Sequence, residues 1–203
     1  MADRRRRNRA LAGIVAGALC AGWAIAAGAQ DGAPDLPADL AKVRAALEKY
    51  QDPYVAVHDG YFSTVGCIYI PRPGGPGQVP YVAGGMGIHF LNPQLVGPVP
   101  DPMRPPILLY EPVDGKLRLV GAEWFVPLAT GVKERPSVFG RPFDGPMHGH
   151  EPLMPAALHH YDLHVWLWKT NPAGLFAPTN PAVKCEGYDQ AVIEEAPALV
   201  PHP

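Results

Sequence analysis

The stretch that decides the fold is ILLYEPVDGKLRLVGAEWFV, residues 107–126. Two mainly apolar runs, 107–110 and 117–126, lie on either side of Asp114-Gly115. An Asp-Gly pair between two such runs is a strong signal of a β-hairpin, because both residues tolerate the positive φ angles of a type I′ turn. The sequence therefore predicts two antiparallel strands that are joined at this dipeptide.

Shorter runs of strand-like composition lie on both sides of the hairpin, separated by loops rich in proline and glycine. Strands are predicted at 54–58, 64–70, 87–91 and 161–168. A helix is predicted at 39–50, where apolar residues recur on one face, and Gln51-Asp52-Pro53 is expected to end it. The predicted fold class is mainly β (α+β): an antiparallel sheet or barrel with one N-terminal helix and long Pro/Gly-rich loops.

The N-terminus has the three parts of a secretory signal peptide. An arginine-rich start is followed by an uncharged apolar stretch, 11–27, and by Ala27-Gly28-Ala29, a small-residue pattern that signal peptidase cleaves. A retained membrane anchor is the alternative, but the stretch is shorter than the roughly 20 residues of a typical membrane-spanning helix. We therefore expect a periplasmic or secreted protein that meets the membrane only during export.

The expected organisation is a signal peptide at 1–29, an N-terminal helix segment at 30–53, a single β-rich domain at 54–185 and a flexible tail at 186–203. Cys20 would leave with the signal peptide, so the mature domain would keep Cys67 and Cys185. Two cysteines in an oxidising compartment most simply pair with each other, and two unpaired buried thiols are the alternative. We expect a disulfide.

The composition argues against several classes of function. The chain has a net charge of −2 and no basic patch outside its N-terminal arginines, so a nucleic-acid partner is not expected. The sequence has no Gly-x-Ser-x-Gly nucleophile elbow, and no phosphate-binding glycine loop with its lysine. The partner that remains is a small-molecule ligand, and the oligomeric state is left open.

Histidines and one glutamate are the most informative polar residues. Five of the eight histidines lie between positions 148 and 164. Because side chains alternate between the faces of a strand, Glu123 is expected on the more apolar face of its strand, with Leu117, Leu119, Gly121 and Phe125. By the same argument His164 shares a face with Asp162, Trp166 and Trp168, while His89 lies in the middle of its strand.

A metal site made of His89, Glu123 and His164 would explain why three polar side chains lie inside apolar strands. Two imidazoles and one carboxylate can hold a divalent ion such as Zn, Fe, Mn or Cu with open positions for a ligand. We expect the three side chains to converge within about 5 Å of one point, and Glu123 and His164 to be the catalytic residues. The alternatives are three separately hydrogen-bonded core side chains, or acid/base chemistry without a metal.

The segment 147–151, Met-His-Gly-His-Glu, offers a second candidate. Its His148 and His150 have the spacing of a copper or zinc chelate, and they could also join His159 and His160. An ordinary polar loop is the alternative. Together with Asp162, they are the candidates should the first set not converge.

Four motifs occur together in this chain: GMGxHF at 85–90, LLYEP at 108–112, GxEWF at 121–125 and YDLHVWLWKxNPxGxFA at 161–177. With them the chain resembles an uncharacterised family of small exported bacterial proteins. The resemblance spans roughly residues 54–185, implies one domain and favours His89, Glu123 and His164 over His148 and His150. It implies no activity. The overall prediction is an exported β-rich domain whose His/Glu site binds a divalent metal and acts on a small molecule. The alternative is a non-catalytic ligand-binding or envelope-structural module.

Overall fold

One eight-stranded sheet organises the part of the chain that the structure describes. The computed structural model describes residues 32–64, 66–151, 154–188, 191–193 and 195–202, and the predicted signal peptide lies outside them. The helices are α1 (Ala38–Leu47) and α2 (Pro53–His58), with short 3-10 helices at Glu48–Gln51, Pro93–Leu95 and Leu128–Thr130. The strands are β1 (Phe62–Ser63), β2 (Cys67–Ile70), β3 (Gly84–Leu91), β4 (Ile107–Val113), β5 (Lys116–Pro127), β6 (Ser137–Val138), β7 (Arg141–Pro142), β8 (Asp144–Met147), β9 (His160–Val165) and β10 (Ala191–Ile193).

The strands of the main sheet follow the order β10-β2-β3-β4-β5-β9-β8, and β1 pairs with β3 beside this path. All of these pairs are antiparallel except β10 with β2. Within the described residues the sheet is not a closed barrel, and β6 and β7 form a separate two-stranded hairpin. The predicted fold class, a sheet-rich α+β protein, is confirmed. None of the described helices has the length and hydropathy that a membrane crossing requires.

The central hairpin forms where the sequence predicts it. Asp114 and Gly115 have φ angles of 50° and 72°, which gives the turn its type I′ character. The pairing register then shifts: Leu109 lies opposite Gly121, whereas Tyr110 lies opposite Leu119. One residue of β5 is therefore extra at this point, which makes a β-bulge.

Because of this bulge, two side chains of β5 lie on the face opposite to the predicted one. Beyond it, Leu119 packs in the same core cluster as Trp124, on the face opposite Phe125. Leu117 also packs against that cluster. The prediction that Leu117 and Leu119 share a face with Glu123 is wrong, because strict alternation does not continue through a bulge.

The N-terminal part contains one confirmed and one wrong prediction. The buried residues Leu40, Val43 and Leu47 line one face of α1, as predicted. Residues 54–58 are helical, not extended as predicted. Asp52 caps α2 by accepting a hydrogen bond from the Tyr54 backbone N–H, and Pro53 occupies the first turn. Asp-Pro therefore ends one helix and also starts the next.

The Cys67–Cys185 disulfide is confirmed. It joins β2 to the segment that follows β9, across 118 positions of sequence. Structural disulfides form in oxidising compartments, so the bridge indicates that the protein folds in one. Part of the segment 186–203, expected as a flexible tail, is paired: β10 lies beside β2, and the Val79 N–H donates to Pro197 O at 3.0 Å.

Candidate metal centre

Strands β3, β5 and β9 carry the predicted site residues on one face of the sheet. Glu123 on β5 lies directly opposite His164 on β9. His89 is on β3, and β4 runs between it and Glu123. Since adjacent strands are about 4.8 Å apart, the backbones of β3 and β5 are separated by about 10 Å, and the two side chains span that gap over β4.

The three side chains meet as the sequence predicts. Glu123 Oε2 lies 3.2 Å from His89 Nε2 and 3.5 Å from His164 Nε2, and one ligand atom from each residue lies within 4.8 Å of the others. All three residues are at most 5% exposed. Two donor atoms that are each about 2.1 Å from one ion lie about 3.4 Å apart in tetrahedral geometry, so these spacings suit a shared ion.

The site leaves buried polar atoms without hydrogen bonds. Among the described residues, neither Glu123 Oε2 nor either ring nitrogen of His164 has a hydrogen-bond partner of good geometry. A buried polar group without a partner costs about 1–3 kcal/mol. A cation held here would satisfy Glu123 Oε2 and one ring nitrogen of His164, since each residue offers one ligand atom.

The charge states of the site follow from burial. Burial raises the pKa of Glu123 to about 7, although the neighbouring His164 opposes the shift. Burial also lowers the pKa of His164, against the attraction of the Glu123 and Asp162 carboxylates. A neutral imidazole is the form that donates to metals, so at neutral pH His164 is ready to bind one.

A second set of side chains lies close by. His150, His160 and Asp162 also offer ligand atoms that all lie within 4.8 Å of one another. His160 Nε2 is 3.8 Å from Asp162 Oδ2, and the rings of His150 and His160 have centroids 5.3 Å apart. Burial favours the neutral form of Asp162, but the imidazoles of His160 and His164 outweigh it and lower its pKa. Both sets could hold a metal ion.

Both sets line a single small cavity. Its volume is about 100 Å³, room for more than one water molecule or for a small ion. The other lining side chains are mostly apolar: Met86, Leu91, Ile107, Phe125, Met154 and Leu158. No lysine or arginine lines the cavity in the part of the chain that the structure describes. Along the described cavity lining, the two carboxylates therefore have only imidazoles and each other as titratable neighbours.

The predicted His148–His150 chelate is not what the structure shows. His148 instead packs edge-on against His159, with ring centroids 4.7 Å apart, and its Nδ1 lies 3.1 Å from Ala156 O. Only His150 points to the cavity, where it joins His160 as the sequence analysis allowed. Asp162 completes this set, which the sequence analysis did not assemble. The available signal was the alternation of His160, Asp162 and His164 along one strand face.

Comparison with known proteins finds no matching family model, no matching curated protein and no matching solved structure. The resemblance to a family of exported proteins therefore stays a prediction.

Proposed function

We propose that this is an exported protein whose His89, Glu123 and His164 bind one divalent transition-metal ion. The observation that carries the proposal is the fully buried Glu123–His164 pair, whose facing atoms make no hydrogen bonds among the described residues. Two imidazoles and a carboxylate suit Zn, Fe, Mn or Cu and leave positions open for a further ligand.

Export is supported by two independent features. The disulfide is typical of proteins in an oxidising compartment, and the N-terminal sequence has the order of a signal peptide. Periplasmic or secreted protein should begin at Gln30, which N-terminal sequencing measures. Membrane-bound protein that keeps Met1 would contradict this part of the proposal.

The proposed ligand is a small molecule, because the sequence has no cluster of basic residues outside its N-terminal arginines that would favour a nucleic acid. The cavity is smaller than the roughly 300–1,000 Å³ of pockets for drug-sized ligands, so only a few heavy atoms fit beside the metal. The metal would supply Lewis acidity to such a ligand. Glu123 and His164 would hold the ion.

The low exposure of the three ligands favours a second candidate, a non-catalytic metal-binding module. Structural metal sites are closed by protein ligands, whereas catalytic sites keep an open position. An exchangeable water on the bound ion separates the two candidates. Water-proton relaxation enhanced by bound Mn²⁺ indicates the open, catalytic type, and the absence of enhancement indicates the closed type.

Metal analysis of untagged protein tests the proposal. Wild-type protein, loaded with Zn²⁺ and dialysed, should retain stoichiometric metal, and Glu123→Gln should lose at least one equivalent while keeping its circular dichroism spectrum. His58→Ala is the matched control, because the His58 side chain is 88% exposed and could bind metal only adventitiously. Metal-free wild-type protein, or full retention by Glu123→Gln, would contradict the proposal.

A further inference from the structure

We infer that His150, His160 and Asp162 form a second metal site, so that the cavity holds two divalent ions side by side. The inference deepens the proposed function and rests on it for the first ion. It is carried by the geometry of the second set, by a buried oxygen atom without a partner and by the charges around the cavity.

The orientation of His160 suits a metal ligand. Its Nδ1 lies 3.1 Å from the backbone oxygen of Leu158. A carbonyl oxygen can only accept a hydrogen bond, so Nδ1 carries a proton, and in the neutral ring Nε2 keeps its lone pair. A backbone carbonyl that fixes the ring in this way is the usual companion of a metal-bound histidine.

The lone pair of His160 faces Asp162 at a distance that a metal explains. The 3.8 Å between Nε2 and Asp162 Oδ2 is too long for a hydrogen bond. It is close to the separation of about 3.4 Å between two ligands of one tetrahedral ion. An ion between these atoms would bind both.

A second, independent observation that points to a bound ion comes from Asp162. The residue is 1% exposed, and its Oδ1 has no hydrogen-bond partner within the described ranges. Buried carboxylates are normally paired or coordinate a metal. No lysine or arginine is described at the cavity wall, so an ion is the partner that this chemistry calls for.

The loop that contributes His150 is packed closely enough to place it. Gly149 lies against the 154–155 turn, and a Cβ there would collide with Pro155 O. The backbone N–H of Gly149 also donates to Ala156 O at 3.0 Å. His150, next in the chain, is 7% exposed and lines the cavity.

One strand links the two sites. His160, Asp162 and His164 occupy alternate positions of β9 and so project from one face, with about 6.5–7 Å between successive Cα atoms. His164 belongs to the first set and the other two residues to the second. The two ions would therefore be neighbours that a single small ligand could touch together.

Metal counting with single-site variants tests the inference. The full mature chain, stripped with EDTA and titrated with Co²⁺, should bind two equivalents, seen in the visible absorption of the ion and by elemental analysis. Asp162→Asn and Glu123→Gln should each bind one, and the double variant none. His148→Ala, in the same segment as His150 but outside both sets, is the matched control and should bind two.

The outcomes separate the inference from the proposed function. A wild-type protein that binds one equivalent, lost in Glu123→Gln and kept in Asp162→Asn, overturns the second site and leaves the proposed function standing. One equivalent lost only in Asp162→Asn overturns the first site, and no binding at all overturns both. If Asp162→Asn does not fold, His150→Gln replaces it with the same expected loss of one equivalent, and two retained equivalents overturn the second site.

Discussion

Two buried glutamates on the same hairpin, Glu111 and Glu123, have opposite surroundings. Glu111 is 2% exposed, and both of its carboxylate oxygens accept hydrogen bonds from Lys169 Nζ at 2.8 Å. The Lys184 backbone N–H adds a third bond at 2.9 Å. Glu123 is 4% exposed, and it faces two imidazoles and a cavity. Burial is the same, but only Glu111 has its full set of partners.

The difference separates structural carboxylates from those that bind something. Taking a carboxylate out of water costs several kcal/mol, and a lysine with good hydrogen-bond geometry offsets much of that cost. The region around Glu111 is complete in this sense, and the adjacent disulfide at Cys185 closes it further. In the proposed function, a cation from outside the chain would complete the region around Glu123. We call Glu111 with Lys169 and Lys184 the closed region, and Glu123 with His89 and His164 the open region.

The largest effect on stability is expected from removing the disulfide beside the closed region. Replacing Cys67 and Cys185 by alanine should cost about 5 kcal/mol of unfolding free energy, since the bridge spans 118 positions of sequence. Denaturant unfolding measures the loss. The metal content of the folded variant should not change, because the bridge does not line the cavity. An unchanged denaturation midpoint would contradict the prediction.

Removing the cation of the closed region should have the next largest effect. Lys169→Met leaves Glu111 buried without its charge partner, which should cost about 3–5 kcal/mol of stability. The double variant Lys169→Met with Glu111→Gln is the control. It removes the stranded charge, keeps an acceptor for the Lys184 N–H and should recover most of the loss. Equal stability of the single and double variants would show that the ion pair itself does not matter.

In metal-free protein, a substitution in the open region should increase stability, whereas Lys169→Met in the closed region decreases it. Burial raises the pKa of Glu123 to about 7, above its unfolded value of 4.5. Stability from this group is therefore present below the unfolded pKa and lost as pH rises through 7. Glu123→Gln removes this loss, so between about pH 5 and about pH 8 the stripped variant should gain on the order of 2 kcal/mol over stripped wild-type protein.

Metal should reverse that order. With Zn²⁺ bound, the Glu123 carboxylate is held ionised, so wild-type protein should be the more stable of the two at about pH 8. Thermal unfolding of both proteins, with EDTA and with Zn²⁺, measures the exchange. A variant that stays the more stable one in the presence of Zn²⁺ would show that Glu123 is no ligand.

The sequence predicts the open region better than it predicts the closed one. Alternation was enough to place Glu123 and His164, since the bulge near Val120 ends before Glu123 and the pairing of β5 with β9 is regular. His89 was predicted only from its position in the middle of an apolar strand. Nothing local identifies Lys169 as the partner of Glu111, because the two are 58 positions apart. The tertiary fold alone determines that pairing.

Two other features were predicted wrongly or missed, because the prediction used only the local sequence pattern. The bulge near Val120 moved Leu117 and Leu119 to the other face, and no composition signal marks it. The second metal set was missed because His150 comes from a long loop without periodicity, and because the predicted strand at 161–168 began one residue after His160. In contrast, the Asp-Pro pair that starts α2 was visible, but we interpreted it only as a helix end.

The smallest effect is expected at Asp59, a carboxylate that faces water. It accepts hydrogen bonds from Lys49 Nζ at 2.5 Å and from Tyr50 Oη at 3.1 Å, and the Lys49 ammonium holds its pKa down to about 2. A depressed pKa contributes stability above the unfolded value of 3.8, and this is lost as pH falls toward 2. Solvent screens the pair, so Lys49→Met should lower the melting temperature only slightly at about pH 6 and by still less near pH 2. Added salt should remove the difference at about pH 6, whereas it should leave the effect of Lys169→Met in place, because that pair is buried. If salt weakened both pairs equally, burial would not be what distinguishes Glu111 from Asp59, and the contrast with Glu123 would need another cause.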